Sequence, residues 1–276
     1  MGFHRSDLHH SATGDAYRLA PVVLAAAALA PAAPARAPVT CRYRMDYRGD
    51  VTRIQVMHHN LSHEPIPFRS QGVLTVRLTD SASSRHLELS LDSLAVTRAD
   101  GSPLPDAEGG AGSRWSGDVG PDGEVVALTS PRLVPGTRAL DRFTRFLFAH
   151  WGSADGKAGE RVDTTAWATS QNGETGSERV ISTYAPPRVD RSAGKERRVL
   201  AAAWSGSRSG TIPAGPEQMT IAASGTGRTE YTYLAGDACP LTAWRAGSTT
   251  QTRMAPAFPS PVTTTGSDSL ALTRLP

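Results

Sequence analysis

The stretch "CRYRMDYRG", Cys41 to Gly49, alternates apolar and polar residues, with Tyr43, Met45 and Tyr47 on one side and Arg42, Arg44, Asp46 and Arg48 on the other. A period of two is the pleat of an extended strand with one face in a core and one in water. It predicts an antiparallel sheet covered on one face, because parallel strands buried on both faces read as unbroken apolar runs. Gly49-Asp50 reads as a turn into a second strand, "VTRIQVM".

The pattern recurs outward from this stretch. Leu74, Val76 and Leu78 share a face in "GVLTVRLTD", and Leu87, Leu89 and Leu91 oppose His86, Glu88 and Ser90 in "RHLELSLDSLAV". Residues 98–113 form a long polar loop expected to be flexible, and Gly120 to Gly123 a turn before "EVVAL". "RVDTTAWATS" and "SERVISTYA" flank Asn172-Gly173 as a hairpin. "KERRVLAAAWSGSRSG", "EQMTIAASG", "GRTEYTYLAG" and "CPLTAWRAGSTTQTRM" continue the series, divided by Gly and Pro turns, with "GTGRTE" as one such turn. Residues 255–269, rich in Pro, Ser and Thr, read as a loose tail segment before "LALTRLP".

One stretch has a different period. In "TRALDRFTRFLFAHW", Thr137 to Trp151, residues Leu140, Phe143, Leu147 and Trp151 recur at helical spacing, Phe146 lies beside them, and Thr137 is a suitable N-cap. This predicts one main helix with an apolar stripe that must be covered. The fold class is therefore mainly β with a single helix: a curved antiparallel sheet or half-barrel packed on the helix, or alternatively a β-sandwich.

The 276 residues are 39% hydrophobic, and the net charge of +3 comes from interleaved acids and bases. Nearly all the cations are Arg, Lys157 and Lys195 excepted, and no block of like charge gathers as nucleic-acid binding requires, so no nucleic-acid partner is expected. Arg18 precedes "LAPVVLAAAALAPAAPARA", a short apolar run ending in small residues, which is the layout of a secretory signal over residues 1–35. The run is too short for a permanent span. A periplasmic or extracellular protein with one β-rich domain over residues 36–276 is expected. An aromatic content of 6% counts against an outer-membrane barrel. Cys41 and Cys239 are the chain's two cysteines. In an oxidising compartment they form a disulfide or remain two separate buried thiols, a choice that spacing leaves open.

The order of strands, one helix, then strands resembles the half-barrel carriers of bacterial envelopes, the periplasmic lipoprotein carriers among them. The resemblance is one of architecture over most of residues 36–276. It implies a bent sheet around a helix with an apolar cleft, and a lipid or other hydrophobic small molecule as partner.

Sites of chemistry are few. "HHNLSHE" brings together His58, His59, His63 and Glu64, residue types that zinc accepts. Glu64 follows the histidine pair instead of lying inside it as in H-E-x-x-H, and Pro65 and Pro67 favour a loop, so solvent-facing histidines are the other reading. Ser192 to Lys195 matches S-x-x-K without its supporting motifs. Asp46, Asp163, Glu178 and Glu230 fall on polar strand faces, and the five tryptophans read as core. No cofactor is expected. The sequence thus points to a non-enzymatic carrier with Leu140, Phe143, Leu147 and Trp151 along the ligand cleft. A secreted hydrolase using the loop histidines, or a structural or interaction protein with no ligand, are the alternatives.

Overall fold

A computed structural model describes residues 37–276 except 58–59, 66–67, 81–83, 99, 104–109, 121–124, 130–143, 149–150, 152–157, 169–174, 192–194, 215–216 and 255–260. The chain divides into a unit over Met1–Pro34 and a unit over Ala35–Pro276, and the predicted signal segment lies outside the described residues. No helix among the described residues is long and apolar enough to cross a membrane.

The second unit is built from strands β1 (Val39–Met57), β2 (Asn60–Pro65), β3 (Phe68–Asp80), β4 (Arg85–Arg98), β5 (Arg114–Val119), β6 (Val125–Thr129), β7 (Gly159–Ala168), β8 (Thr175–Tyr184), β9 (Arg188–Asp190), β10 (Arg197–Ala214), β11 (Glu217–Leu234), β12 (Thr242–Met254) and β13 (Val262–Arg274). All thirteen ladder into one antiparallel sheet ordered β6-β5-β4-β3-β1-β13-β12-β11-β10-β8-β7, with β2 paired to β1 and β9 to β10. One sheet replaces the two stacked sheets of a sandwich. The short strands β2 and β9 follow β3 and β8 along β1 and β10, and Pro186-Pro187 divide β8 from β9. Proline has no N–H to give a ladder.

This order places the first and last strands side by side at the centre, β1 against β13, and makes consecutive strands β6 and β7 the two edges. The segment joining them, residues 130–158, therefore leaves one edge and arrives at the other. Within it residues 144–148 are helical, as the spacing predicts, while Thr137, Leu140 and Phe143 lie outside the described residues.

One face of the sheet holds the core. Met45, Leu272, Ala243, Tyr231 and Leu200 are successive register partners across β1, β13, β12, β11 and β10. All five are buried and belong to one cluster with Leu74, Val76, Leu89 and Trp115. Leu147, Phe148 and Trp151 join that cluster fully buried. The Trp151 ring meets Tyr43 edge-on at 5.3 Å and lies 4.2 Å from Phe148. Main-chain oxygens of the segment are taken up by the sheet: the Tyr231 hydroxyl donates to Leu147 O at 2.6 Å and the Tyr233 hydroxyl to Trp151 O at 2.5 Å. At the same end Cys41 and Cys239 form a disulfide with Cα atoms 6.6 Å apart, and the Tyr43 hydroxyl donates to Pro240 O at 2.8 Å. Closing a loop across a separation of 198 residues restricts the unfolded chain by about 5 kcal/mol in the chain-entropy model.

Two glycine-marked turns of the sequence reading are strand interiors. β1 passes straight through Gly49-Asp50, and β11 is one strand through Gly225 to Gly227, so "GTGRTE" is not a hairpin. The reason is close approach of aromatic rings. A Cβ on Gly49 would stand 2.6 Å from the Phe68 ring, and one on Gly227 2.6 Å from the Trp204 ring. Glycine in a strand interior marks such an approach as readily as it marks a turn. The expected loose tail is also corrected. From Val262 onward it is strand β13, paired on both sides by β1 and β12, and its threonines suit a pleated surface.

Candidate functional site

His63 and Glu64 lie in β2, in register with Ile54 and Arg53 of β1, so Asn60–Pro65 is a strand and not a loop; His58 and His59 lie outside the described residues. Among the described residues no three His, Cys, Asp or Glu side chains are grouped to hold a metal. His86 stands against Asp118 on the exposed face, Nδ1 to Oδ1 at 2.9 Å. Of the residues expected along a cleft, Leu147 and Trp151 are sealed among the tyrosines.

A second apolar cluster stands apart from the main core: Phe146, Val180 and Trp204. It is assembled by register. Trp204 of β10 lies in a transverse row with Gly227, Gly247 and Asp268, and with Ser182 on its other side. Both glycines lack the Cβ that would strike the indole, which therefore lies flat against the sheet; at Gly247 that Cβ would be 2.1 Å from the ring. The Arg245 guanidinium lies 4.2 Å from the Trp204 ring and 5.1 Å from that of Phe146. It donates to Thr229 Oγ1 at 3.0 Å, and both residues are buried. A cation between two aromatic faces in a dry setting is held by the ring quadrupoles. Trp204 is 6% exposed, and its buried Nε1–H has no hydrogen-bond partner among the described residues. An unmet buried donor costs about 1–3 kcal/mol, so it marks a place where an acceptor would be held strongly.

Beyond Trp204 the same face continues but is no longer sealed. Its next rows are Val180, Gly206, Gly225, Thr249 and Gly266, then Glu178, Arg208, Ala223, Gln251 and Thr264. Apart from Val180 and Glu178, which are buried, these side chains are half-buried, whereas Ser205, Ser207, Ser224 and Ser248 on the opposite face are exposed. Glu178, read from the sequence as outward, is buried here at 8% exposure, opposite Arg208 in the ladder. Alternation errs at this position because the carboxylate shares a face with Val180, Ser182 and Tyr184. Trp244 is half-buried on the opposite face, while Trp115, Trp151 and Trp204 are interior as expected.

Burial pushes the hydroxyls of Tyr43, Tyr231 and Tyr233 well above the usual phenol range, against the pull of Arg274 on Tyr43 and Arg245 on Tyr231. They serve as neutral donors. A cavity of about 310 Å³ lies at the disulfide end of the strands, lined by Val39, Leu78, Asp80, Arg85 and Asp237 among others. Its carboxylates are engaged, Asp80 by Arg85 at 2.5 Å and Asp237 by Arg274 at 2.8 Å. Around Trp204, by contrast, the arrangement offers apolar ring surface, a floor of small residues, a buried N–H and a guanidinium. Those are the means of holding a molecule by its apolar surface and orienting it through an oxygen. Sequence reasoning missed Trp204 and Arg245 as a pair, although "AWSG" and "AWRAG" each set a large side chain beside a glycine. Comparison with models of known protein families and with curated proteins finds no match.

Proposed function

We propose that the chain is an exported, non-catalytic binding protein that carries a lipid or other hydrophobic ligand on the inner face of its sheet, against Trp204 and Phe146. The observation that carries this reading is the unmet Trp204 donor at the border between a sealed core and a half-buried floor of Gly, Ala and Thr with Arg208 and Gln251. A ligand there would transfer apolar surface out of water, at about 25 cal/mol per Å², and place one oxygen on the indole N–H. A curved sheet fits this use, with Phe146 and Trp204 forming the wall, while Leu147 and Trp151, expected along the cleft, belong to the sealed core. Export is supported by the signal-like start and by the Cys41–Cys239 disulfide, which suits an oxidising compartment.

The test is native mass spectrometry of residues 36–276 for a co-purified lipid, followed by fluorescence titration with lysophospholipid and fatty acid. Trp204→Phe retains a ring and removes the donor, and is expected to weaken binding by about threefold to tenfold. Protein that carries no lipid and shows no saturable response to either probe would point to the ligand-free structural alternative. A stoichiometric metal lost on His63→Ala would instead support the hydrolase.

A further inference from the structure

We propose that β7 is a self-association edge, through which two copies of the chain pair antiparallel about Val162. The two edges of the sheet differ. β6 is five residues long and its pairing with β5 is irregular. β7 has ten residues, all in regular register with β8, and no strand among the described residues pairs with its other side. A long, regular edge presents a row of backbone donors and acceptors to any strand that can match it.

The sequence of β7 matches itself. Antiparallel pairing with Val162 opposite Val162 sets Arg161 opposite Asp163 of the second copy, and Asp163 opposite its Arg161, while Glu160 meets Thr164. Directly opposite residues share a face, so both ion pairs form on the same side of the joined sheet. Arg161 is steadied for this role by its guanidinium, 5.2 Å from the centre of the Tyr184 ring. Val162, at 47% exposed, would be covered by its counterpart. Inward charges of one sign on an edge strand would repel a second copy. Opposite charges two residues apart instead select one register of self-pairing, and the contact closes as a two-fold dimer.

The experiment is analytical ultracentrifugation of residues 36–276 with charge-reversed variants. Wild type is expected to dimerise, and Arg161→Asp or Asp163→Arg alone, each setting like charges opposite one another twice, to raise the dimer Kd by about tenfold or more. An equimolar mixture of the two variants is expected to form a heterodimer, because one copy then carries two acids where the other carries two bases. The double variant, Arg161→Asp with Asp163→Arg, restores the homodimer. Thermal melts of each variant separate loss of association from loss of folding. Wild type monomeric at its highest soluble concentration would overturn the proposal. So would well-folded single variants that dimerise as wild type does, or whose mixture stays monomeric.

Discussion

Along one face of β11, Tyr231 and Tyr233 are sealed beneath Leu147, Phe148 and Trp151, whereas Ala223 and Gly225, earlier on that same face, stay half-buried. The neighbouring strands show the same division. β10 runs from buried Leu200 and Ala202 to half-buried Gly206 and Arg208, and β12 from buried Ala243 and Arg245 to half-buried Thr249 and Gln251. A single alternation therefore describes two physical regions. At one end large side chains meet a covering segment and a disulfide; at the other, Gly206, Gly225, Thr249 and Gly266 stay half-buried beside Arg208 and Gln251. Trp204 and Arg245 stand at the boundary.

The largest expected effect breaks the sealed end. Trp151→Ala removes a fully buried ring that touches Tyr43, Phe148 and Tyr231, and is expected to cost about 3–5 kcal/mol. Urea unfolding followed by circular dichroism checks this, and a loss near zero would show that the segment does not seal the sheet. Removing the disulfide by Cys41→Ser together with Cys239→Ser acts on the same end and is expected to cost about 2–5 kcal/mol. A midpoint unchanged by the double substitution would place the stability of this end in packing alone.

The boundary gives the next effect. Gly247→Ala drives a methyl into the Trp204 ring and toward Thr226 O, 2.6 Å from the added Cβ, and is expected to destabilise by about 1–3 kcal/mol. In a Trp204→Ala background the ring's share of that loss should vanish, while the share from the contact with Thr226 O remains. A double-mutant cycle measures the coupling, and strict additivity would mean that the glycine serves something other than the indole.

The sealed end was legible in the sequence and the boundary was not, for a physical reason. Tyr43, Met45 and Leu89 announce their face by alternation, and Leu147 and Trp151 announce theirs by helical spacing, since each large apolar side chain must be buried somewhere. The paired cysteines carried their disulfide as one of two open readings. At the boundary the signal is the absence of a side chain, and Gly49, Gly225 and Gly227 look the same whether a chain turns or a ring presses on it. Whether Phe68 or Trp204 supplies that ring depends on a register set by distant strands. For the same reason "VTTTGSDS" reads as a tail, although its place between β1 and β12 makes it central.

Smaller effects come from single hydroxyls in the sealed end. Tyr43→Phe removes the bond to Pro240 O and is expected to cost about 1 kcal/mol. The same tyrosines set a response to alkali. Burial raises their pKa in the fold, whereas an unfolded tyrosine titrates near about 10. Below that pH both states hold the proton and stability is unaffected. Above it the unfolded chain releases the proton first, so stability falls as pH rises toward the folded value. Urea midpoints measured from neutral pH into this range should bend downward near the ordinary phenol pKa, less steeply in Tyr43→Phe and Tyr233→Phe. An unaltered slope in both variants would assign the alkaline loss to other groups.

The smallest expected change in stability lies in the open region, and it sharpens the comparison most. Thr249→Ala alters a half-buried side chain beside Gly225 and Gly266. Since little packs on it, the cost is expected to be within about 0.5 kcal/mol. If this floor holds a ligand, however, Thr249→Trp should fill it, leaving the unfolding midpoint nearly unchanged while weakening lipid uptake at least as strongly as Trp204→Phe. The sealed end has no such freedom, because a large residue placed against Tyr231 or Leu272 meets atoms already in contact. If Thr249→Trp instead destabilised the chain by several kcal/mol, the floor would be closed like the core, and the distinction between the two regions would fail at the position chosen to display it.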